Sequence, residues 1–556
     1  MSSTVQTIKE TKEGKLDTKG PSLRLYLGGF MAAGKTSVGS KLSEMTGLPF
    51  LDTDDLVEAM AGMSVAEIFA NYGEPHFRQL EKRALDETFK LKNVIVGLGG
   101  GVLVNPEHKA KIFANGTLIM LDAAVKTIME RASRQPGKRP LLKEDNVAEL
   151  LDKRREAYKD AHLRVSTDEI FIDQVASIII DNLGKDIIQP ERTSRGNYEI
   201  VRAKTKKGIS YPIVIGRGIL TSCDDINDIL DTIADKHSGA PFVISDPLSF
   251  TLFSRQIKKI SGTHLLPRGE EGKTLDQVSL IYEKFARHNI DRKGLILAIG
   301  GGCVGDAAGF AASTWMRGID IVQIPTTLIA QVDSSIGGKT AVDLPQGKNL
   351  VGAFHQPCCV IVDVNCLLSL PDDEFRQGMA EVIKYGLGED REFFRWLSEN
   401  RKSVLEREPE ALLKMVKRCI ELKASVVGED ERETSGARTR LNLGHTVAHG
   451  LEACSNYSEI KHGDAVAIGL VVAANLAVML GTCQRDILAE LKDLLEYFGL
   501  PTRPYKVFDE ALPFMQRDKK FISGKPTMVL PREGKKCEVK EISIELLKNA
   551  YQAAVR

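Results

Sequence analysis

The stretch L-N-L-G-H-T-V-A-H-G-L-E, from Leu441 to Glu452, holds the densest chemistry in this 556-residue chain. Read as one helix, it sets Asn442, His445 and His449 at i, i+3 and i+7, so the three side chains leave from one face. A third imidazole follows at His462 in K-H-G-D. Upstream, A-E-V-I-K-Y-G places Glu381 and Lys384 three apart, again on one helical face. Glu, His and His suit Zn²⁺ or Co²⁺ and leave positions open for a substrate. Two His four apart on a helix also suit an ordinary packed or exposed pair. Thr446 stands where a zinc protease carries the Glu of H-E-x-x-H, which argues against peptide hydrolysis.

A second constellation lies near the N-terminus. An apparent strand, Leu23 to Leu27, runs into G-x-x-x-x-G-K-T from Gly29 through Gly34 to Thr36. Backbone N–H groups and a helix N-terminus cradle phosphates there, Lys35 reaches the outer phosphates, and Thr36 offers its hydroxyl to Mg²⁺. In P-F-L-D-T-D-D-L, a strand end delivers Asp52 and Asp54 to one side. One carboxylate can serve the metal and the other an acceptor hydroxyl; a solvated turn with a helix cap is the alternative. Arg78 in H-F-R-Q, Gly99, Gly100 and Gly101 at a strand end, Arg139 in R-Q-P-G-K-R-P-L-L with the look of a mobile lid, and Arg154 on a helix complete the set. Singly each Arg reads as a surface residue; together they offer forks for a carboxylate and a phosphoryl group.

A third group opens with I-G-G-G-C-V-G-D, a G-x-G-x-x-G at Gly300, Gly302 and Gly305 after a strand. Around it stand Glu270 and Lys273 in G-E-E-G-K, Thr326, Thr327, Asp333 and Lys339, then Lys348 and Asn349. Lys423, Arg438 and Lys519 follow. So many cations near a prospective metal, in a chain whose 75 basic residues balance 75 acidic ones, imply a substrate bearing phosphate and carboxylate. Scattered helix-surface charges are the other reading.

The elements that position these groups divide by sequence as follows: residues 1–20 a disordered tail, 21–185 a P-loop α/β domain, and 186–197 a Gly/Pro/Ser-rich linker. An α/β nucleotide-binding half then spans 198–363 and a helical half 364–556. Balanced charge gives no case for nucleic acid or an anionic membrane, and no window reaches ~18 uninterrupted apolar residues. Nine scattered cysteines without C-x-x-C fit buried thiols in a reducing cytoplasm.

In motif order, the first domain resembles shikimate kinase over nearly its whole length. The resemblance implies a three-layer domain with a parallel sheet, in which Gly29, Gly34, Lys35, Thr36 and Arg139 hold ATP, and Thr36 and Asp52 hold Mg²⁺. Asp54 would orient the acceptor hydroxyl and take its proton, and Arg78, Arg154 and the Gly100–Gly101 amides would hold shikimate. Ala32 replaces the family's usual Gly. Gluconate-type and adenylate-type kinases share the P-loop alone.

Across essentially all of the second region the motifs resemble 3-dehydroquinate synthase. By that resemblance Asp246, Glu270, Lys273, Gly302, Gly305, Asp306, Thr326, Thr327, Lys339 and Lys348 bind NAD⁺, and Glu381, His445 and His462 ligate Zn²⁺ or Co²⁺ in an all-helical metal-binding half. Arg317, Asp333, Lys339, Asn349, Lys384, Lys423, Arg438, Asn442, His449 and Lys519 surround the sugar phosphate, with Lys339, Lys384 and His449 catalytic. Arg268 replaces an acidic residue usual before G-E-x-x-K, and a residue is inserted near Ser435. The expectation is a bifunctional enzyme of aromatic amino-acid precursor synthesis, homodimeric through the synthase half as relatives are. Another sugar-phosphate cyclase such as deoxy-scyllo-inosose synthase, a polyol dehydrogenase, or a non-catalytic ATP- and NAD-binding scaffold are the alternatives.

Overall fold

The runs Leu25–Leu27, Val94–Val96 and Leu118–Leu121 are apolar without alternation, the pattern of parallel strands covered on both faces. The computed structural model describes residues 5–7, 23–133, 147–183, 198–204, 208, 210–433, 436–455, 459–516, 521–522 and 525–555. By contacts the chain forms two compact units. The first is Met1–Asn197 with Arg217–Arg268 and Leu368–Pro371; the second is Tyr198–Gly216 with Gly269–Leu367 and Asp372–Arg556.

In the first unit six strands order as Val5–Thr7, Leu163–Ser166, Thr117–Asp122, Arg24–Gly29, Val94–Gly97 and Phe50–Asp52. All pair in parallel except Val5–Thr7, which runs antiparallel to Leu163–Ser166. That edge strand lies in the stretch expected to be a disordered tail; the rest of residues 1–22, the 186–197 linker, the Arg139 segment, Ser435 and Lys519 lie outside the described residues. Every residue of Val94–Gly97 is buried, so both faces of the sheet are covered. Helix Lys35–Thr46 packs on this strand and on helix Ile172–Leu183, and each fully buried Val, Leu or Ile adds about 1.5–3 kcal/mol.

In the second unit the strands Leu295–Gly300, Asp320–Pro325, Cys359–Asp363, Ser210–Gly216 and Tyr198–Lys204 lie side by side in that order, parallel except for the last pair. The order returns to the beginning of the unit for its later strands, as crossover connections require. A hairpin, Lys339–Leu344 with Gly347–Phe354, follows. From Cys366 onward the chain is mainly helical. The expected all-helical half needs one correction: Phe521–Ile522, Lys525–Arg532 and Lys535–Glu541 form a small antiparallel sheet. Its apolar run T-M-V-L is short and ends in Pro531, so its strand character is muted in sequence.

Helix His462–Met479 lies at the centre of this half. It is long and apolar enough to cross a membrane, yet 78% of that window is buried inside the protein, as in a core helix apolar all round. Helices His445–Cys454, Asp372–Glu389 and Ile544–Val555 pack on it. The first contact is unusually close: a Cβ on Gly469 would lie 2.1 Å from the carbonyl oxygen of Gly444, which itself has φ +80°. Backbone-to-backbone approach at this point sets His445 and His462 near each other. Gly469→Ala is therefore expected to cost about 1–3 kcal/mol or more and to weaken divalent-metal binding, measured by urea denaturation and by metal titration of the same variant.

Candidate functional site

In the first unit, Lys35 begins its helix after Gly34 (φ +101°) and folds back on the preceding loop, donating to the carbonyls of Gly29 at 2.9 Å and Phe30 at 3.1 Å. Ala32 holds a left-handed φ of 65°, a conformation in which Gly costs nothing and Ala about 1–2 kcal/mol. Thr36 donates to Asp52 at 2.8 Å. Asp52 ends its strand and caps helix Thr53–Ala61, accepting from the Asp54 N–H at 3.1 Å. The two carboxylates do face a common site, but through a strand-to-helix corner and not through alternation along one strand. Burial raises the pKa of Asp52, with the charge of Asp55 adding. Burial, then Asp52, pushes Asp54 up to about 7.

The three glycines at the strand end bring the remaining groups together. A Cβ on Gly99 would lie 2.4 Å from Asp54 Oδ1, one on Gly100 3.3 Å from Arg154 Nη1, and one on Gly101 2.5 Å from Arg78 Nη1. Arg154 and Tyr158 both donate to the Gly100 carbonyl, at 2.7 and 2.5 Å. Arg78 is braced by buried Glu81 at 2.8 Å and by Glu74 at 2.9 Å. Tyr158 and Glu81 were not singled out from sequence, although Glu81 sits three residues after Arg78 on the same helix. The arrangement offers two guanidinium groups to an anion beside a carboxyl poised to titrate near neutrality.

In the second unit, strand Leu295–Gly300 leads into helix Gly302–Thr314. A Cβ on Gly301 would meet the Thr327 side chain at 3.1 Å, and one on Gly305 would meet Gln323 at 2.8 Å; glycine at these positions lets the turn and the helix start pack against those side chains. Thr326 is buried. Nearby, Lys273 donates to Asp306 at 2.5 Å and to Asn349 at 2.6 Å, and Lys348 to Glu270 at 2.6 Å. Asn349, expected with the sugar phosphate, thus stands with the nucleotide group. Asp246 lies in the first unit as a buried helix cap, accepting from the Leu248 and Ser249 N–H groups. Arg317 ends a 3₁₀ turn with φ +69°.

The metal candidates converge. Glu381, His445 and His462 each offer one ligand atom, and these atoms lie within 4.8 Å of one another. His445 Nε2 is 3.4 Å and His462 Nε2 3.1 Å from Glu381 Oε1, while Lys384 Nζ is 2.5 Å from Glu381 Oε2. The buried Oε2 makes no hydrogen bond of good geometry despite that ion pair, so the carboxylate retains capacity for a cation. Two imidazoles and a carboxylate fit a borderline divalent metal with open positions. Burial lowers the pKa of His445 to about 4, leaving it neutral, the form that binds metal.

Next to this centre Lys423 donates to Asp333 at 2.7 Å and Tyr385 to the same oxygen at 2.7 Å. Burial would raise Asp333, but Lys423 and Lys384 hold it well below the usual carboxylate range. Burial brings Lys423 down to about 8. Tyr385 was missed, although it directly follows Lys384. Lys339 instead pairs with Glu433 at 2.6 Å, which Arg438 faces at 3.9 Å; Arg438 itself is buried and donates to the Glu431 and Gly337 carbonyls. The single helix expected over Asn442, His445 and His449 is corrected: Asn442 ends a 3₁₀ turn, Gly444 breaks the chain direction, and the α-helix begins at His445. His449 is exposed, its ring edge-on to His445 at 5.5 Å.

A family model described as shikimate kinase matches residues 31–184. Models for the N-terminal and C-terminal parts of 3-dehydroquinate synthase match 263–377 and 378–521. The 3-dehydroquinate synthase of Shewanella loihica is 40% identical over 354 residues, spanning 62% of this chain and 97% of that one. That of Pelobacter propionicus is 44% identical over 346 residues, spanning 61% and 95%. Two solved structures are similar at 25% identity and a TM-score of 0.56. One is 2-epi-5-epi-valiolone synthase from Streptomyces hygroscopicus subsp. jinggangensis with NAD⁺ and Zn²⁺ bound, spanning 64% of this chain and 99% of that one. The other is 2-deoxy-scyllo-inosose synthase complexed with carbaglucose-6-phosphate, NAD⁺ and Co²⁺, spanning 64% and 100%.

The raised pKa of Asp54 has a measurable consequence. The folded chain holds this proton up to about 7, the unfolded chain only to about 4. Folding therefore takes up a proton between those values, and stability falls as pH rises across them. Asp54→Asn is expected to be more stable than the wild type by up to about 4 kcal/mol at pH 8, the difference vanishing below pH 4, as followed by denaturation at both pH values.

Proposed function

We propose, for a chain that belongs to the 3-dehydroquinate synthase family and carries a shikimate kinase domain ahead of it, a division of two reactions between two sets of residues. The chain is a bifunctional shikimate-pathway enzyme. One reaction phosphorylates shikimate at the expense of ATP. The other converts 3-deoxy-D-arabino-heptulosonate 7-phosphate to 3-dehydroquinate and phosphate.

In the kinase, ATP with Mg²⁺ supplies the transferable phosphoryl group and neutralises its charge. Lys35 leaves the loop carbonyls for the phosphates, and Thr36 with Asp52 provides the oxygen ligands for Mg²⁺. Arg78 and Arg154, which lie against the Gly99–Gly101 turn, hold the shikimate carboxylate. Asp54, with its pKa near 7, orients the acceptor hydroxyl and takes its proton. Arg139 is assigned to the phosphates of ATP.

In the synthase, Glu381, His445 and His462 hold Zn²⁺ or Co²⁺, and the glycine turn at Gly300–Gly305 with Glu270, Lys273, Asp306, Thr326, Thr327 and Lys348 binds NAD⁺. When bound, the metal would supply Lewis-acid polarisation of a substrate oxygen and NAD⁺ would supply reversible hydride acceptance, whose oxidised stage would acidify a neighbouring C–H so that phosphate can leave, the hydride being returned afterwards. Lys384, Lys423 and Arg438 bind the anionic groups of the substrate, with Arg317, Lys339 and Lys519 contributing further positive charge. Asp333 fixes Lys423, and His449, exposed beside His445, moves protons. What supports this reading most directly is the convergence of Glu381, His445 and His462 beside a Lys pair. The structurally similar cyclases share the fold at 25% identity, whereas the 3-dehydroquinate synthases reach 40–44%, which favours the heptulosonate as substrate. Free cysteines throughout support a reducing cytoplasm, and exposed Leu350 and Phe354 on the hairpin support a homodimer through the synthase half.

Separability tests the assignment. Glu381→Gln should lower phosphate release from the heptulosonate by roughly 100-fold or more, since Lewis-acid polarisation is worth several kcal/mol, and leave shikimate phosphorylation intact. Lys35→Ala should do the reverse. Wild-type phosphate release should need catalytic NAD⁺, stop with a zinc-selective chelator and accumulate no NADH. Loss of both activities in either variant, or stoichiometric NADH, contradicts the assignment. For the kinase, kcat/KM should rise with pH through about 7 as Asp54 ionises; a profile flat from pH 6 to 8 contradicts its role as base.

A further inference from the structure

The two imidazoles of the metal centre are anchored differently. Each turns Nε2 toward Glu381, so each Nδ1 points away and is free to be held from behind. His445 Nδ1 meets the Leu443 carbonyl at 3.1 Å, a backbone acceptor two residues away that cannot swing. His462 is anchored from another helix: its Nδ1 meets Glu452 Oε1 at 3.3 Å. Its side chain is 37% exposed against 12% for His445, so packing restrains its ring less.

Glu452 lies seven residues after His445, on the same helical face. It is 8% exposed, and a carboxylate so buried costs several kcal/mol unless a partner compensates. The hydrogen bond with His462 supplies that partner. One helix thus carries a metal-ligating imidazole at its first residue and, two turns on, the acceptor for a second imidazole that belongs to the next helix, His462–Met479.

We propose that Glu452 is the positioning residue for His462: by accepting a hydrogen bond from Nδ1–H it fixes the tautomer and ring orientation that present Nε2 to the metal, and so sets the metal affinity of the Glu381–His445–His462 centre. The proposal rests on the reading of that triad as the metal site. Carboxylates behind a ligating imidazole typically change metal affinity 10–100-fold. Glu452 itself does not ligate, since Oε1 faces the nitrogen opposite the one turned toward Glu381.

The test uses the full chain and Zn²⁺ in competition with a chromophoric chelator, on the wild type, His445→Ala, Glu452→Met and Glu452→Gln. Met keeps the volume and removes the acceptor; Gln keeps an acceptor oxygen and removes the charge. Glu452→Met is expected to bind Zn²⁺ 10–100-fold more weakly, and Glu452→Gln to lose only part of that. With Co²⁺ in place of Zn²⁺, the visible ligand-field bands should shift in the Met variant and return toward wild type in the Gln variant, a signature that general loss of packing would not produce. Wild-type affinity in Glu452→Met overturns the proposal. Should that variant not fold by circular dichroism, Glu452→Gln decides, with a severalfold loss expected and unchanged affinity overturning it. If His445→Ala binds Zn²⁺ as tightly as the wild type, the triad is not the metal site, and both readings fall for a reason distinct from failure of Glu452 alone.

Discussion

The chemistry of the second unit is organised by the burial of one carboxylate. Glu381 is 1% exposed, and an unpaired charge there would be prohibitively unfavourable. Its compensation comes from Lys384 one turn along the same helix and from imidazoles on two other helices. Those helices must meet closely, which is why glycine stands at both Gly444 and Gly469. The requirement extends outward: Lys384 also neutralises Asp333, Asp333 holds Lys423, and Tyr385 caps the same oxygen. The candidate metal centre and the buried Lys384, Asp333 and Lys423 are thus parts of one network, in which removing a charged member leaves another charge uncompensated.

The first unit solves a different problem. Burial raises the pKa of both Asp52 and Asp54, with the charge of Asp55 adding at Asp52 and that of Asp52 adding at Asp54. Two carboxylates with separated environments are suited to two tasks. Asp52 is tied to Thr36 and to the start of its helix. Asp54 faces the glycine turn where Arg78 and Arg154 gather. Holding Asp54 ionised at this buried position costs stability above its raised pKa.

Much of this is legible in sequence because it is local. G-x-x-x-x-G-K-T, the apolar strands and the i, i+3 spacing of Glu381 and Lys384 each fall within a few turns, and periodicity reports them. What sequence hides is non-local or conformational. The helix starting at His445 instead of including Asn442 depends on the positive φ of Gly444, itself set by its approach to Gly469. The pairing of Lys339 with Glu433 joins residues 94 apart, and that of Glu452 with His462 crosses between helices. Neither leaves a periodic trace. The small C-terminal sheet escaped notice because its strands alternate weakly around Pro531.

The most direct measurement of the central claim is X-ray absorption at the metal edge of the chain loaded with one equivalent of Zn²⁺. Coordination by two imidazole nitrogens and a carboxylate oxygen, all at about 2.0–2.2 Å, is the result expected from Glu381, His445 and His462. Sulfur scattering at about 2.3 Å, or fewer than two imidazoles, would place the metal elsewhere in the chain and contradict the account.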